Sequence, residues 1–263
     1  MNSPAAGAAC HAVLIGATGR MGRAILACAA EYPQLSFVAA LGAAGSGALG
    51  RDAGVLAGGA PNQLPITSDL HSALPRAQVV IDFSGGHATR AHLRACRAAG
   101  KALLIGSTGY PPELEHEFAA AAQEMALLIA PNTSLGVTLL LELARGAAGA
   151  LPGFAAQITE THHASKRDAP SGTALALAAA VRAGGARTAA AQVPVPISSV
   201  RAGEAVGEHT VQFSAAGEEL FLTHRATDRA IFARGALAAA LWLAPRPPGR
   251  YAMRDVLVGK TET

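Results

Sequence analysis

Apolar and polar positions follow two different rhythms along this chain, and the change between them divides it near the middle. In the first half, short apolar runs are separated by stretches with helical spacing. Val13, Leu14 and Ile15 read as a buried strand, and Ile25, Leu26 and Ala29 continue at helical spacing. Further strands are predicted over 35–41, 78–83, 102–106 and 126–130, with helices over 88–99 and 111–123. Strands that alternate with helices imply right-handed βαβ units and a parallel sheet. Residues 42–59 are rich in glycine and are expected to form a mobile connection.

After an apolar helix predicted over 135–150, the rhythm changes. Strands are predicted over 154–161, 197–200, 209–214 and 219–225, with one long helix over 171–183 among them. Strands that follow one another without helices imply a second, α+β domain with a largely antiparallel sheet. A last helix over 230–243 precedes a tail, 251–257, expected to return to the first domain. The expected fold is therefore α/β, a Rossmann-type parallel sheet joined to an α+β domain, divided as 1–133, 134–232 and a return over 233–263.

The first strand leads into Gly16-Ala17-Thr18-Gly19-Arg20-Met21-Gly22. Glycines at a strand-to-helix turn suit a dinucleotide: Gly16 permits the tight turn, Gly19 lets backbone approach a pyrophosphate, and Gly22 lets the helix pack closely on the strand. The spacing is G-x-x-G-x-x-G, with Thr18 where the commoner motif has its middle glycine. Two later strands end in Gly106-Ser107-Thr108-Gly109 and Pro131-Asn132-Thr133-Ser134, at the carboxyl edge where open α/β sheets bind ligands.

The densest chemistry lies in Glu160-Thr161-His162-His163-Ala164-Ser165-Lys166, followed by Asp168-Ala169-Pro170-Ser171-Gly172-Thr173 at a helix start. The free N–H groups and positive dipole end of that helix can hold a carboxylate or phosphate. His162, His163 and Lys166 supply protons beside it near neutral pH. A metal is not expected: neighbouring histidines on an extended strand point to opposite faces, and no Cys or carboxylate is read at ligand spacing nearby. Ser171 lacks the G-x-S-x-G elbow that would expose it as a nucleophile.

Composition narrows the partners. At 263 residues the chain exceeds the usual single-domain size. An aromatic content of 4% argues against base-stacking platforms, and a net charge of +3 with scattered arginines points to acidic small molecules rather than nucleic acid. Cys10, Cys28 and Cys96 form no paired framework and read as reduced thiols, so a cytoplasmic protein is expected. Neither a signal peptide nor a membrane span is expected.

The glycine motif and the block 160–174 together resemble the dihydrodipicolinate reductases of bacterial lysine and diaminopimelate synthesis. The resemblance extends to Val200-Arg201-Ala202-Gly203, Gly207-Glu208-His209-Thr210, Leu222-Thr223-His224-Arg225-Ala226 and Met253-Arg254-Asp255-Val256-Leu257. It implies a homotetramer in which 1–133 binds NADPH or NADH, while 134–232 carries substrate and oligomer contacts. His162 would be the general acid and Lys166 a second proton donor. His163, Ser171, Gly172 and Thr173 would hold a dicarboxylate. Gly16, Ala17, Thr18, Gly19, Arg20 and Met21 would line the dinucleotide, with Gly106, Ser107, Thr108, Ala130, Pro131, Asn132 and Thr133. The implied reaction loses water from a hydroxylated ring, takes hydride at C4 and protonates the resulting enamine, with no metal.

The chain departs from the family pattern in three places. Gly42-Ala43 stands where many members carry an acidic residue or a basic pair after the second strand; Ser84-Gly85-Gly86-His87 lacks an Arg that some use near the cofactor. The segment 189–196 is shorter than the family's glycine- and arginine-rich loop. Another NAD(P)-dependent dehydrogenase of similar layout would explain the first domain but not the H-H-x-x-K block. A non-catalytic dinucleotide sensor would need no proton donors beside an anion site.

Overall fold

Ala12, Val13, Leu14 and Ile15 are all buried, as a parallel strand covered on both faces requires. In a computed structural model describing residues 9–185 and 194–259, they form β1 (Cys10–Ile15). Most of the short segment 189–196 thus lies outside the described residues. Helix α1 (Arg20–Cys28) turns Gly22, Ile25, Leu26 and Cys28 inward. There follow β2 (Leu35–Leu41), α2 (Ala53–Leu56), β3 (Ile66–Thr67), α3 (Leu70–Ala73), β4 (Val79–Asp82) and α4 (Thr89–Ala98). Then come β5 (Ala102–Ile105), α5 (Leu114–Ala121), β6 (Ala126–Ile129) and α6 (Leu135–Ala150). The later half contributes β7 (Ala155–His162), α7 (Gly172–Gly184), β8 (Ile197–Arg201), β9 (Gly207–Ala215) and β10 (Glu218–Ala226). Finally, α8 (Ala230–Leu243), β11 (Gly249–Tyr251) and α9 (Met253–Val258) close the described chain. Among the described residues, no helix is long and apolar enough to cross a membrane.

The described residues up to Thr133 and from Phe232 onward form one compact unit, and Ser134–Ile231 the other. The first unit holds a seven-stranded sheet in the order β11-β6-β5-β4-β1-β2-β3, with every neighbouring pair parallel. Since β1 pairs with β2 on one side and β4 on the other, the strand order reverses there, and such switch points open a crevice at the carboxyl ends of the strands. The second unit holds a four-stranded sheet, β10-β9-β7-β8, parallel only between β7 and β8. Ile158, Val211 and Phe213 pack on one face of it against Leu140 and Ala144 of α6 and Leu177 and Val181 of α7.

The glycine-rich connection over 42–59 is hydrogen-bonded to its surroundings in its later part. Gly50 N–H donates to Ile66 C=O at 2.9 Å and Ile66 N–H to Arg51 C=O at 2.8 Å, so the segment is stitched to β3. Asp52 caps α2, accepting from the N–H groups of Val55, Asn62 and Gln63. An Asp at the N-cap is what makes a helix this short hold. The same device, Asp69 accepting from Ser72 N–H, starts α3.

Beside the switch point, β4 ends in a carboxylate with no exposed surface, Asp82. It accepts from His92 Nδ1 at 2.8 Å, Ser84 N–H at 2.8 Å and Ser84 Oγ at 2.6 Å. Ser107 Oγ reaches the same oxygen at 3.3 Å and accepts from Gly85 N–H at 3.0 Å, which ties the loop after β4 to the loop after β5. Burial alone would raise the Asp82 pKa; the His92 and Ser84 hydrogen bonds outweigh it and hold the carboxyl below its ordinary value. A carboxyl depressed in the folded state contributes stability above its ordinary pKa and loses it as pH falls through the folded value. Asp82→Ala is therefore expected to cost about 3 kcal/mol at pH 7. Urea titrations of both proteins at pH 7 and in acid check this, the deficit shrinking as Asp82 protonates in the wild type.

Candidate active site

The glycine turn after β1 has the shape a dinucleotide needs. Gly16 has φ +84°, and a β-carbon there would lie 2.5 Å from the Phe83 carbonyl oxygen, while one at Gly22 would lie 2.2 Å from the Gly16 carbonyl oxygen. A β-carbon at Gly19 would meet only the Gly16 carbonyl oxygen, at 3.3 Å. Gly16 and Gly22 are thus fixed by packing, and Gly19 keeps backbone approachable. Gly19 also caps α1 with no side-chain hydrogen bond, so the first N–H groups of that helix, at Arg20 and Met21, keep their donors for an anion. Ala17 is buried, and its N–H donates to the Leu41 C=O at 2.8 Å, fixing the turn to β2.

The other predicted cofactor residues divide by what they already touch. Gly106 passes against the Phe83 ring, which a β-carbon would meet at 2.2 Å, and Thr108 is exposed. Ser107 is buried with its hydroxyl committed to Asp82 and Gly85. Ala130 is buried and donates its N–H to Ile105, and Thr133 Oγ donates to the Phe232 C=O at 2.7 Å. Pro131 is exposed and Asn132 half-buried.

In the second unit, strand alternation builds the proton-transfer cluster. Successive side chains on a strand point to opposite faces, so Ile158, Glu160 and His162 of β7 share the inner face. The register sets Ser199 of β8 and His209 of β9 opposite Glu160, and Arg201 of β8 opposite His162. Helix α7 begins where the apolar half of this face gives way to the polar half. Its N-cap, Ser171, accepts from Ala174 N–H at 3.2 Å, donates its own N–H to Glu160 Oε1 at 3.2 Å and meets His209 Nε2 at 3.1 Å through its hydroxyl.

Glu160 is wholly buried. Arg201 Nη2 donates to its Oε1 at 2.6 Å, and its Oε2 lies 2.5 Å from His162 Nδ1. Burial pushes the Glu160 pKa up, but hydrogen bonds from Arg201, Ser199 and Ser171 outweigh it and bring the value down to about 2. Burial pushes the His162 imidazole below its ordinary value, Glu160 opposing and Lys166 assisting. His209 packs edge-on against His162 with ring centroids 5.0 Å apart, and burial followed by the His162 charge lowers it to about 4.

His163 points away from this cluster, with Nδ1 2.8 Å from Ser165 Oγ. Lys166 Nζ donates to both oxygens of Asp168, at 2.7 and 2.8 Å. A β-carbon at Gly172 would meet nothing within 4 Å, so the first turn of α7 is open on that side; Thr173 follows it in the same turn. The expectation that no carboxylate stands at ligand spacing near the histidines is corrected: atoms of Glu160, His162 and His209 all lie within 4.8 Å of one another. Arg201 occupies one Glu160 oxygen and Ser171 faces His209, while Glu160 Oε2, His162 Nδ1 and His209 Nδ1 are buried without a hydrogen-bond partner. Sequence reading gave no role to Glu160, Arg201 or His209. For Glu160 the signal was present, since a residue two positions before His162 on a strand shares its face.

Models of the dihydrodipicolinate reductase N-terminus and C-terminus match residues 10–133 and 136–257. A 4-hydroxy-tetrahydrodipicolinate reductase of Anaeromyxobacter dehalogenans strain 2CP-1 is 45% identical over 93% of this chain and 96% of its own. One from Thiobacillus denitrificans is 43% identical over 93% and 97%. Among solved structures, dipicolinate-bound dihydrodipicolinate reductase from Paenisporosarcina sp. TG-14 superimposes with a TM-score of 0.78 at 22% identity, covering 93% of this chain and 97% of that one. An amine dehydrogenase from Mycobacterium smegmatis superimposes with a TM-score of 0.62 at 14% identity, covering 93% and 95%. The fold is thus shared with other dehydrogenases, and sequence decides between them: the chain belongs to the dihydrodipicolinate reductase family.

Proposed function

We propose that this chain reduces 4-hydroxy-tetrahydrodipicolinate to tetrahydrodipicolinate with NADPH or NADH, in lysine and diaminopimelate synthesis. The observation that carries this reading is the convergence of the buried His162, with Lys166 nearby, on the start of α7. A dicarboxylate ring is suited to that place: the first N–H groups of α7, at Gly172 and Thr173, bind one carboxylate, and His163 and Lys166 answer the charge of the other. Ser171 acts through the helix start that it caps. When bound, the reduced nicotinamide supplies the hydride that adds at C4. His162 protonates the carbon next to C4 as the enamine collapses to the imine, and Lys166 serves as second donor once it leaves Asp168.

General acids contribute about a hundredfold to ten-thousandfold in rate. His162→Ala should therefore lower kcat by that range while cofactor affinity holds, read by NADPH oxidation coupled to freshly made dihydrodipicolinate-synthase product; wild-type turnover would reject the assignment.

Cofactor choice follows from Gly42, whose missing side chain leaves neither a carboxylate for a ribose hydroxyl nor a fixed cation for a 2′-phosphate. The exposed arginines within reach in sequence, Arg20 and Arg51, add about 1 kcal/mol or less, under about tenfold in affinity. Both cofactors should serve, with a mild NADPH preference that fades as salt rises. Steady-state kinetics with each cofactor across a salt series measure it, and a hundredfold, salt-insensitive preference would point to a dedicated recognition group.

The homotetramer is supported by the sheet face turned away from α6 and α7. There Gln157, Gln212 and the 54% exposed Phe221 form one cross-strand row, beside a row of Thr159, Thr210 and Thr223. Two uncharged rows with an exposed aromatic, flanked by Glu219 and by the Arg225–Glu208 ion pair, suit a symmetric self-contact. Light scattering at micromolar concentration should give a mass well above the monomer's, and a monomer alone would reject the assembly.

A further inference from the structure

We propose that Glu160, held in place by Arg201 and the Ser171 N–H, is the positioning residue of His162: it fixes the imidazole as its Nδ1–H tautomer and leaves Nε2 as the atom that gains and delivers the proton. This rests on His162 being the general acid, and it adds the group that makes it one.

The geometry supplies both halves. Glu160 Oε2 and His162 Nδ1 are shut off from solvent, lie 2.5 Å apart as an ion-pair contact without the alignment of a hydrogen bond, and have no other partner to turn to. An ionised carboxylate can only accept, so the nitrogen facing it must carry a hydrogen. The other nitrogen lies against a glycine: a β-carbon at Gly207 would stand 2.9 Å from Nε2. Any other residue at 207 would crowd the nitrogen that has to reach substrate. Glu160 is in turn unable to swing away, because its second oxygen accepts from Arg201 Nη2 at 2.6 Å and from Ser171 N–H at 3.2 Å. Arg201 is itself tethered, donating to the Asp168 C=O at 2.6 Å.

The charged and titratable groups around His162 are Glu160 on its own strand, Arg201 on β8, His209 on β9 and Lys166, with its partner Asp168, in the connection to α7. Only Glu160 favours the imidazolium among those acting on His162; burial, Lys166 and Arg201 disfavour it. In the proton step, the Nε2–H bond breaks with its electron pair left on nitrogen, and a C–H bond forms from the enamine electrons. His162 ends neutral and Glu160 remains a carboxylate throughout.

The decisive experiment pairs NMR with kinetics. In the wild-type enzyme, the ¹⁵N shifts of the neutral His162 ring should report Nδ1–H; an Nε2–H tautomer would overturn the proposal with no variant needed. In Glu160→Gln the His162 titration, and with it the limb on which kcat falls as pH rises, should move to lower pH by about one to two units. The cofactor Kd should stay unchanged. Glu160→Asp, which keeps the charge but draws it back, should recover part of that shift. An unmoved limb in a folded Glu160→Gln enzyme would also overturn the proposal. If instead His162→Ala keeps full turnover, the general-acid reading fails while the NMR tautomer still reports on Glu160 by itself.

Discussion

A carboxylate with no accessible surface survives only where donors converge on it, and in the second unit Glu160 imposes that condition on three elements at once. β8 has to run parallel to β7 so that Arg201 arrives beside it, against the antiparallel habit of the rest of the sheet. α7 has to begin where the Ser171 N–H can point at it. β9 has to set a neutral histidine across from it and a glycine beside His162, so that neither a second full charge nor bulk crowds His162. The result is a helix N-terminus and an imidazole whose separation is set by one shared side chain, which accepts a hydrogen bond from the first and lies in ion-pair contact with the second.

The first unit solves the same problem with different donors. Val79, Val80 and Ile81 are buried on β4, and the strand then ends in buried Asp82, whose partners are a histidine and two hydroxyls. No arginine is involved in that network, and what it ties together is a pair of loops beside the switch point. In both units a buried acid stands at or near the carboxyl end of a strand, Asp82 as the last residue of β4 and Glu160 two residues before the end of β7. The polar end of a strand is where a sheet can exchange hydrophobic packing for directional bonds.

Much of this was legible before the fold was known, for identifiable reasons. The strand over 35–41 and the helix over 135–150 coincide with β2 and α6, because a long periodic run bounded by polar residues leaves little choice. The pieces α2, β3 and α3 were not legible, being two to four residues long and held by the side-chain caps Asp52 and Asp69 rather than by periodicity. Of the proton-transfer cluster, His162 and Ser171 were read from local spacing. Arg201 and His209 lie 39 and 47 positions beyond His162 and depend on strand register, about which spacing within one strand is silent. Ser107 stands at a strand end, where ligand contacts are expected; that its hydroxyl faces inward toward Asp82 and Gly85 depends on the fold and is not visible in local spacing.

The ion pair between Lys166 and Asp168 carries one more consequence. An ammonium already neutralised by a neighbour offers an arriving anion an exchange of partners, so recruiting Lys166 gains only the difference between two carboxylates. Counting cations around the site would therefore overstate how tightly a doubly charged molecule is held. The same exchange returns the ammonium to Asp168 when product leaves, so departure does not strand a lone charge. On the proposed role of Lys166, one internal competitor two positions along the chain would ease both the capture and the release of a doubly charged molecule.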